Sequence, residues 1–502
     1  MKGFVFLILY VLILIQALSG QGSTIPVNSV LYLYAENALF VDSDFHTSVK
    51  PWVYSDERFD TSVVQNSFIT STGKISIRPE TETGFRYSGD FGKQMLFVEG
   101  ASIRYKPSGK FSIKASIMAG GQYFEKGTNG FDTLKVLPYC GKWFSQSEKI
   151  YFFPAITGSI NYKPGNHFLF QAGYDRNFVG NGYRSVLLSE NSAPYPFVKI
   201  NFQSWRVNYF IMWAYLNDIS DNGFTDKYGV FHYLDINLTR RLSIGFYESV
   251  IWWGSDANTV RGIDPAYLNP VIFFRPIEYS IHSPDNANIG GNASLRLGKR
   301  SYLYGQLYLD DLMVKELLKN SGWWGNKYAM QFGFRTSKAY GEHQVSLLTE
   351  INMARPYTYS HTSTTLNYGT LYGSLAHPLG ANFAEGVGIF RYSNHSWYMM
   401  TKIVLAKVGL DTSIVNLGQD IYKSYNLRNR KNDYNVKLWQ GQKEILKWSE
   451  LRFGKWLDKN KHFSLYSVMG IYSKGSFSSK DVFFNIGLST AIFNNERDIV
   501  LP

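Results

Sequence analysis

The sequence predicts an all-β protein: a transmembrane antiparallel β-barrel of the outer-membrane type, with about 16–18 strands and long extracellular loops. Three observations support this fold. Apolar and polar residues alternate over many segments, aromatic residues gather at the segment ends, and tight turns alternate with longer polar connections. Soluble sheets show the same alternation, so a secreted β-sandwich or propeller is the alternative fold.

The composition excludes several other classes of protein. Tyr 36, Phe 36 and Trp 12 make 17% of the 502 residues aromatic, which excludes a disordered chain. The sequence holds one long apolar run, at its start, whereas a bundle of membrane helices needs several runs of about 20 residues. A single cysteine excludes a scaffold held by internal disulfides.

The first 20 residues resemble an export signal. Lys2 is followed by the apolar run from Phe4 to Ile15, and small residues stand at Ala17 to Gly20. This order is typical of a cleaved secretory signal peptide, and the run is short for a membrane anchor. We therefore expect a signal peptide at 1–20 and one barrel domain at 21–502, located in the outer membrane of a Gram-negative bacterium.

Period-two segments supply the predicted strands. Ala101, Ile103 and Tyr105 alternate with polar residues, and the pattern resumes at Phe111 after a tight turn. Similar segments recur along the chain, the last at Val482 to Phe493. Tight turns near 108, 165, 240 and 299 indicate one hairpin per roughly 55–60 residues, hence about 16–18 strands.

Aromatic residues stand where these segments end. Aromatic side chains that can expose one end to water favour the membrane–water interface, where outer-membrane barrels carry belts of aromatic residues, the aromatic girdles. The pairs are Tyr105 and Phe111, Tyr162 and Phe168, Trp205 and Trp213, and Trp252 and Trp253.

The segment Gly262 to Asn292 is not expected to be a barrel strand through most of its length. It holds four prolines, which remove donors from a strand ladder, and it is too apolar for a solvated loop. Two alternatives stand: a loop folded into the lumen or capping its mouth, and a surface loop folded on itself.

Asp310 to Asn320 predicts a short helix with Asp310 or Asp311 as its cap. Trp323 and Trp324 follow, and such rings can stack on the apolar face of a sugar. The competing interpretation, which also applies to Trp252 and Trp253, is an interface girdle.

No motif for an enzyme is present. The nine histidines form no His-x-x-x-His pair, and there is no Gly-x-Ser-x-Gly elbow, P-loop or dinucleotide fingerprint. Asp310 and Asp311 are explained by a helix cap. We predict a non-enzymatic protein with no cofactor and no metal.

Two explanations fit the net charge of +12: the protein binds an anionic partner, or its basic side chains are simply solvated. An exported barrel does not meet nucleic acid. Basic residues on inward faces would make a positive lumen or rim that attracts acidic polysaccharide, lipopolysaccharide phosphates or small anions. The candidates are Arg104, Lys114, Arg206 and Arg296, while basic residues at tight turns can touch lipid head groups.

The stretch from Gly173 to Ile200 resembles the signature of the Wzi-like capsule-assembly family of outer-membrane proteins. Its matching positions are Gly180, Gly182, Ser185, Leu188, Ser189, Asn191, Pro194 and Pro196. The Asn269-Pro270 pair, with Phe274, Arg275 and Glu278, and the stretch Asn416 to Asn426 resemble the gliding-motility branch of this family in Bacteroidetes-type bacteria.

The resemblance implies a barrel of about 18 strands that acts as a surface lectin for capsule or other exported polysaccharide. The family's capsule-binding members carry a helical plug near the periplasmic mouth. Here Asn28 to Tyr34 reads as a strand, and only Asp310 to Asn320 and Glu444 to Leu457 look helical, which is a departure from the family pattern.

The motif also has a physical interpretation of its own. Gly180 and Gly182 permit a sharp turn, and Asn191 with Pro194 and Pro196 makes a rigid corner that could direct a loop inward. These residues are therefore predicted to be architectural. The glycan-binding candidates are Trp252, Trp253, Arg275, Glu278, Trp323 and Trp324.

The leading hypothesis is a barrel that binds exported acidic polysaccharide, supporting capsule or exopolysaccharide attachment or assembly and surface adhesion in gliding. One alternative is a diffusion channel or transporter. The other is an accessory component of a secretion or motility machine, with surface or secretion-machinery proteins as partners.

Overall fold

A computed structural model of the chain shows a closed antiparallel β-barrel of 18 strands. It describes residues 46–50, 70–72, 75–89, 92–108, 110–125, 136–137, 140–147, 149–220, 223–254, 261–271, 284–412, 415–426, 430, 432–458, 463–475 and 480–490. The predicted fold class is confirmed, including the strand number.

The strands pair in chain order, and the last closes on the first, with Phe483 opposite Ser88. They are β1 Ile75–Ser88, β2 Gly92–Ser108, β3 Phe111–Phe124, β4 Ile150–Tyr162, β5 Phe168–Asp175, β6 Tyr195–Ser204, β7 Val207–Ser220, β8 Gly223–Asn237, β9 Leu242–Trp253, β10 Asn286–Arg296, β11 Ser301–Asp311, β12 Lys327–Tyr340, β13 His343–Ala354, β14 Phe383–Ser393, β15 Trp397–Leu410, β16 Gln442–Trp456, β17 Ser464–Lys474 and β18 Lys480–Ser489. The two-residue strands Val49–Lys50 and Phe178–Val179 pair with each other outside the barrel sheet.

The two ends of the barrel differ in their connections. At one end, every hairpin turn between described strands has two to seven residues. At the other end, six connections are long: 125–149, 176–194, 254–285, 312–326, 355–382 and 411–441. Outer-membrane barrels keep short turns in the periplasm and long loops outside, so the second end is extracellular.

Each strand has one inward and one outward face. In β16, Trp448 and Glu450 are buried and point into the lumen, whereas Ile445, Leu451 and Phe453 are exposed on the outside. An outward apolar band meets lipid, and the inward face is free to carry polar side chains.

The strand Gln442–Trp456 corrects one expectation, because Glu444 to Leu457 was predicted to be helical. Its outward residues, Ile445, Leu451 and Phe453, follow a period of two, and this alternation overrides the helix-forming Glu, Lys and Leu content.

The helix predicted at Asp310 to Asn320 is shorter, Val314–Leu318. Asp310 and Asp311 are the last residues of β11 and do not cap the helix. The residue at the helix N-cap is Met313, whose side chain makes no capping hydrogen bond. The last strand ends at Ser489, earlier than the predicted Phe493. In the described part of the chain, no helix has both the length and the apolar character needed to cross a membrane.

Candidate functional site

The extracellular half of the lumen is filled by two long loops that fold inward. We call residues 176–194 the first plug loop, residues 355–382 the second plug loop, and the two together the plug. Val186, Leu187 and Leu188 have no exposed surface and pack against inward side chains such as Met212 and Phe231. This packing forms the largest apolar cluster among the described residues.

Wall side chains hold the backbone of the first plug loop. Gln306 accepts from Val186 N at 2.9 Å and donates to Val179 O at 2.9 Å. Gln331 Nε2 donates to Arg184 O at 2.9 Å. These amides satisfy backbone groups that have no strand partner, which is the condition for burying irregular backbone.

A carboxylate of the wall completes this support. Glu350 accepts from the backbone N–H groups of Tyr183 at 2.9 Å and Arg184 at 3.1 Å, and from the Tyr304 hydroxyl at 2.8 Å. Its side chain is buried, so these donors offset the cost of removing the carboxylate from water.

One buried ion cluster joins both plug loops to the wall. Glu385 of β14 forms a salt bridge with Arg184 of the first plug loop, in which Arg184 Nη2 lies 3.1 Å from Glu385 Oε1. His377 Nε2 of the second plug loop lies 2.7 Å from Glu385 Oε2, and Asn352 Nδ2 donates to the same oxygen at 3.1 Å. Removal of this carboxylate would leave a buried arginine without its counter-ion.

The second plug loop also bonds directly to the first. Tyr359 donates its hydroxyl to Val186 O at 2.8 Å, and Tyr368 donates to Leu187 O at 2.8 Å. Ser189 N donates to Leu375 O at 2.7 Å. The two loops therefore form one hydrogen-bonded body.

The family-like motif lies in the first plug loop and at its exit. Gly180 has a φ of 137°, and a Cβ there would stand 2.2 Å from Gln306 Nε2. A Cβ on Gly182 would stand 2.3 Å from Glu350 Oε2. Glycine is required at both positions because the backbone touches the wall amide and carboxylate.

The other motif residues serve the same loop. Ser185 Oγ donates to Val179 O at 2.6 Å, Leu188 and Ser189 are buried, and Asn191 Nδ2 donates to Ser374 O at 3.2 Å. Pro194 is buried at the exit of the loop, and Pro196 is an exposed residue of β6. The loop that carries the motif turns inward.

A segment from the start of the chain reaches the plug. Val49 pairs with Val179 as a short antiparallel bridge, and Ser48 O accepts from Gly180 N at 2.7 Å. His46 and Ser48 bond to Asp235 of the wall at 2.8 and 2.9 Å. Burial lowers the pKa of Lys50 to about 7, against the nearby charges of Glu190 and Glu350.

The lumen is not uniformly positive. Arg104, Lys114 and Arg296 lie on inward faces as expected, but Arg206 lies in the turn between β6 and β7 and donates to Leu238 O. Near the plug, buried cations pair with buried acids, as in Lys227–Asp218, Lys327–Asp310 and Lys402–Glu450.

Aromatic residues gather at the extracellular rim. We call Trp323, Trp324, His361, Tyr425 and Arg430 the rim cluster. Trp324 lies 5.0 Å from the Tyr425 ring and 6.0 Å from the Trp323 ring, between centroids, and the Arg430 guanidinium stands 3.7 Å over it. Burial, with Lys327 nearby, lowers the pKa of His361 to about 4, so this imidazole is neutral at pH 7.

The rim cluster draws residues from three loops, and backbone hydrogen bonds join two of them, 312–326 and 411–441, into one platform. Asn435 N donates to Ser321 O at 3.0 Å, and Val436 N donates to Gly322 O at 2.9 Å. Tyr434 is 51% exposed on this platform. In the same two loops Lys315, Lys319 and Lys437 are exposed and Lys423 is half-buried.

The described residues of the long loop after β9 lie outside the lumen, so of the two alternatives left open for this segment they favour a surface loop. We call its described residues 261–271 the strap. The strap lies on the outward face of β7 to β9, where Tyr267 packs against Ile211, Val230, Val250 and Trp252. Trp213 Nε1 donates to Tyr267 O at 2.9 Å, and Trp252 Nε1 donates to Gly262 O at 3.0 Å.

Two of the candidate glycan-binding residues, Trp252 and Trp253, lie next to the strap. Trp252 is 2% exposed beneath it, so its ring is covered. Trp253 faces inward and packs against the plug cluster, with Arg261 over its ring at 5.8 Å. Arg275 and Glu278 lie outside the described residues, as do the predicted signal peptide at 1–20 and the strand at Asn28 to Tyr34.

The sequence drew attention to Trp323 and Trp324 but not to Tyr425, Tyr434 or Arg430, which lie a hundred residues later. Only the pairing of two distant loops brings them together. Among the described residues, no group of three or more His, Cys, Asp or Glu side chains is placed to hold a metal.

Comparison with known proteins gives similarity of fold alone. No protein-family model matches the sequence, and no curated protein matches it. The structure is similar to that of Wzi from Escherichia coli, described as an outer-membrane protein involved in group 1 capsule assembly and a carbohydrate-binding β-barrel. The TM-score is 0.56 at 12% identity, over 94% of this chain and 99% of Wzi.

Two further solved structures match less well. OprD from Pseudomonas aeruginosa has a TM-score of 0.40 at 10% identity, over 82% of this chain and 94% of OprD. OccAB4 from Acinetobacter baumannii has a TM-score of 0.43 at 10% identity, over 83% of this chain and 97% of OccAB4. The fold is that of an outer-membrane barrel.

Proposed function

We propose that this protein is a non-enzymatic outer-membrane barrel that binds exported acidic polysaccharide at the cell surface and supports capsule or exopolysaccharide attachment. The observation that carries the proposal is the plug. The extracellular half of the lumen is occupied by two loops bonded to the wall and to each other. Such a lumen favours a binding protein over a diffusion channel, and the similarity to the Wzi fold supports the same role.

The rim cluster is the proposed glycan site. Aromatic rings stack on the apolar faces of sugars, and the exposed lysines around the platform supply charge for uronate carboxylates. Tyr434 is exposed and Trp323 is half-buried, whereas one face of Trp324 is covered by Arg430. Trp252 does not belong to this site because the strap covers it.

The binding test uses two aromatic substitutions together. The double variant Trp323→Ala with Tyr434→Ala should bind an acidic polysaccharide about tenfold more weakly, since two stacking contacts of roughly 0.5–1.5 kcal/mol are lost. Affinity electrophoresis of the detergent-purified protein measures the change. Tyr340→Ala, an exposed tyrosine at the periplasmic end, is the matched control and should leave binding unchanged.

The cellular test separates this role from the alternatives. A strain lacking the protein should still synthesise polymer but shed it into the medium, and its surface adhesion in gliding should weaken. Equal amounts of bound polymer in both strains would contradict the proposal. A steady open pore in planar bilayers would favour a channel, and cross-linking that recovers proteins but no glycan would favour an accessory role in a secretion or motility machine.

A further inference from the structure

Three successive turns at the periplasmic end of the barrel carry a group of basic residues. The turns are 205–206, 238–241 and 297–300, and they connect β6 to β7, β8 to β9 and β10 to β11. None of the three contains Asp or Glu. We call their basic residues the basic crescent: Arg206, Arg240, Arg241, Lys299 and Arg300.

The three turns follow one another along the periplasmic edge of the wall. The backbone carbonyls of Arg206, Arg241 and Arg300 each accept an N–H from the strand that follows the hairpin, at 2.8, 2.7 and 3.0 Å. Neighbouring turns are two strands apart, which is about 10 Å across the sheet. Long basic side chains on adjacent turns can therefore reach one shared anion.

The acidic residues around the crescent have partners of their own. Asp235, just before the second turn, lies on the inward face, where it bonds to His46 and Ser48. Glu342 lies in the next turn along the edge, where its Oε1 stands 3.8 Å from His395 Nε2. The crescent therefore forms a stretch of net positive charge on the barrel edge.

Most of the crescent is accessible. Arg206 is half-buried: it donates to Leu238 O at 3.3 Å and its guanidinium lies 5.0 Å from the centroid of the Trp205 ring. The other four residues are exposed: Arg240, Arg241, Lys299 and Arg300.

Apolar side chains in the same turns place the crescent at the membrane surface. Leu238 is 47%, Leu297 52% and Trp205 79% exposed. The two leucines extend the outward apolar faces of β8 and β10, because each follows an inward residue, Asn237 or Arg296. Exposed apolar residues beside basic ones are typical of a lipid interface, where the apolar groups enter the hydrocarbon and the charged groups stay at the phosphates.

We propose that the basic crescent binds anionic phospholipid of the inner leaflet, with phosphatidylglycerol as the representative ligand. The lipid phosphate lies between the second and third turns, and the acyl chains pack along Leu238 and Leu297. The crescent attracts a net negative head group, whereas the ammonium of a zwitterionic phospholipid opposes the same charges. This inference does not depend on the glycan site at the opposite end of the barrel.

The test measures lipid binding to the full-length detergent-purified protein by native mass spectrometry. The probes are phosphatidylglycerol and phosphatidylethanolamine with the same acyl chains. The triple variant Arg241→Gln, Lys299→Gln, Arg300→Gln should bind phosphatidylglycerol at least tenfold more weakly, because each lost charge lowers the attraction to the head group. The matched control removes three exposed lysines at the extracellular end and should bind as the wild type does: Lys93→Gln, Lys149→Gln and Lys443→Gln.

A second variant tests the apolar part of the site and keeps every charge. Leu238→Ser with Leu297→Ser should weaken phosphatidylglycerol binding severalfold. Full affinity in the triple variant, or equal binding of the two phospholipids by the wild type, would overturn the proposal. Complete competition by inorganic phosphate would reduce the crescent to a phosphate site and also overturn it.

A soluble acidic polymer is the competing ligand for such a basic surface. Affinity electrophoresis with polygalacturonate tests it on the same triple variant, which should migrate as the wild type does. Loss of polygalacturonate binding with phosphatidylglycerol binding unchanged would assign the crescent to polymer and overturn the lipid site.

Discussion

The first plug loop and the strap start from the same end of the barrel but fold to opposite sides of the wall. The plug loop enters the lumen, where its backbone receives hydrogen bonds from Gln306, Gln331 and Glu350. The strap bends outward, where Tyr267 packs on an apolar surface and its carbonyl accepts from Trp213. Both segments are rich in glycine, proline and aromatic residues.

The difference shows that the wall decides the destination of a long loop. Inward positions of β11 to β14 offer amides and carboxylates, which can satisfy irregular backbone away from water. Outward positions of β7 to β9 offer Ile211, Val230 and Val250, on which the Tyr267 ring packs, and indole donors such as Trp213 for the strap carbonyls. The composition of the loop itself is a weaker guide.

The largest effect is expected from Glu385→Ala. Arg184 would keep its buried charge without the carboxylate, at a cost of about 3–5 kcal/mol, so the plug should loosen. Single-channel recording in planar bilayers should show openings that the wild type lacks. Glu342→Ala, at an exposed turn, is the control, and a silent Glu385→Ala channel would show that the plug does not depend on this cluster.

A smaller effect on the plug is expected from Tyr359→Phe with Tyr368→Phe. Both ring shapes remain, but the carbonyls of Val186 and Leu187 lose their buried donors, which should lower the free energy of unfolding by about 2–4 kcal/mol. Urea titration in lipid vesicles measures the loss. Tyr340→Phe, on the outward wall, serves as the control, and an unchanged midpoint in the double variant would argue against the hydrogen-bonded body.

The strap should respond independently of the plug. Tyr267→Phe removes the hydroxyl that donates to Asp285 Oδ2 at 2.6 Å, which should cost about 1.5 kcal/mol locally. Hydrogen exchange should rise within the strap while bilayer conductance stays silent. Openings in this variant would show that inner and outer loops are coupled through the wall.

The smallest effect concerns pH. Arg261 and the Ala266 N–H lower the pKa of Asp264, although partial burial opposes them. Because the pKa of Asp264 is lower in the folded than in the unfolded state, its carboxylate stabilises the strap fully at pH values above the unfolded-state pKa. This stabilisation is lost as the pH falls through the folded-state pKa. Exchange protection of the strap should therefore persist in mild acid and decline only as the pH falls through the lowered folded-state pKa of Asp264. Asp264→Asn should remove this decline.

The sequence predicted the parts of this structure that depend on local pattern. The alternation at Ala101 to Tyr105 and the tight turn before Phe111 both lie where expected, because period two fixes a strand face. The sequence left the destination of the strap open between the lumen and the surface, because that destination depends on outward residues of β7 to β9. Of the rim cluster, the sequence singled out Trp323 and Trp324 as candidates. Tyr425 and Arg430 were missed because they join these rings only through the pairing of two distant loops.

The bridge between Val49 and Val179 joins parts of the chain that are far apart in sequence. The segment 46–50 is tied to Asp235 and to Asn181, on the inside of a wall whose first and last strands meet at a seam. A finished cylinder of 18 strands admits this segment only through one of its mouths, and the plug occupies the extracellular half of the lumen. We therefore expect the segment to enter either before β18 zips onto β1 or through the periplasmic mouth.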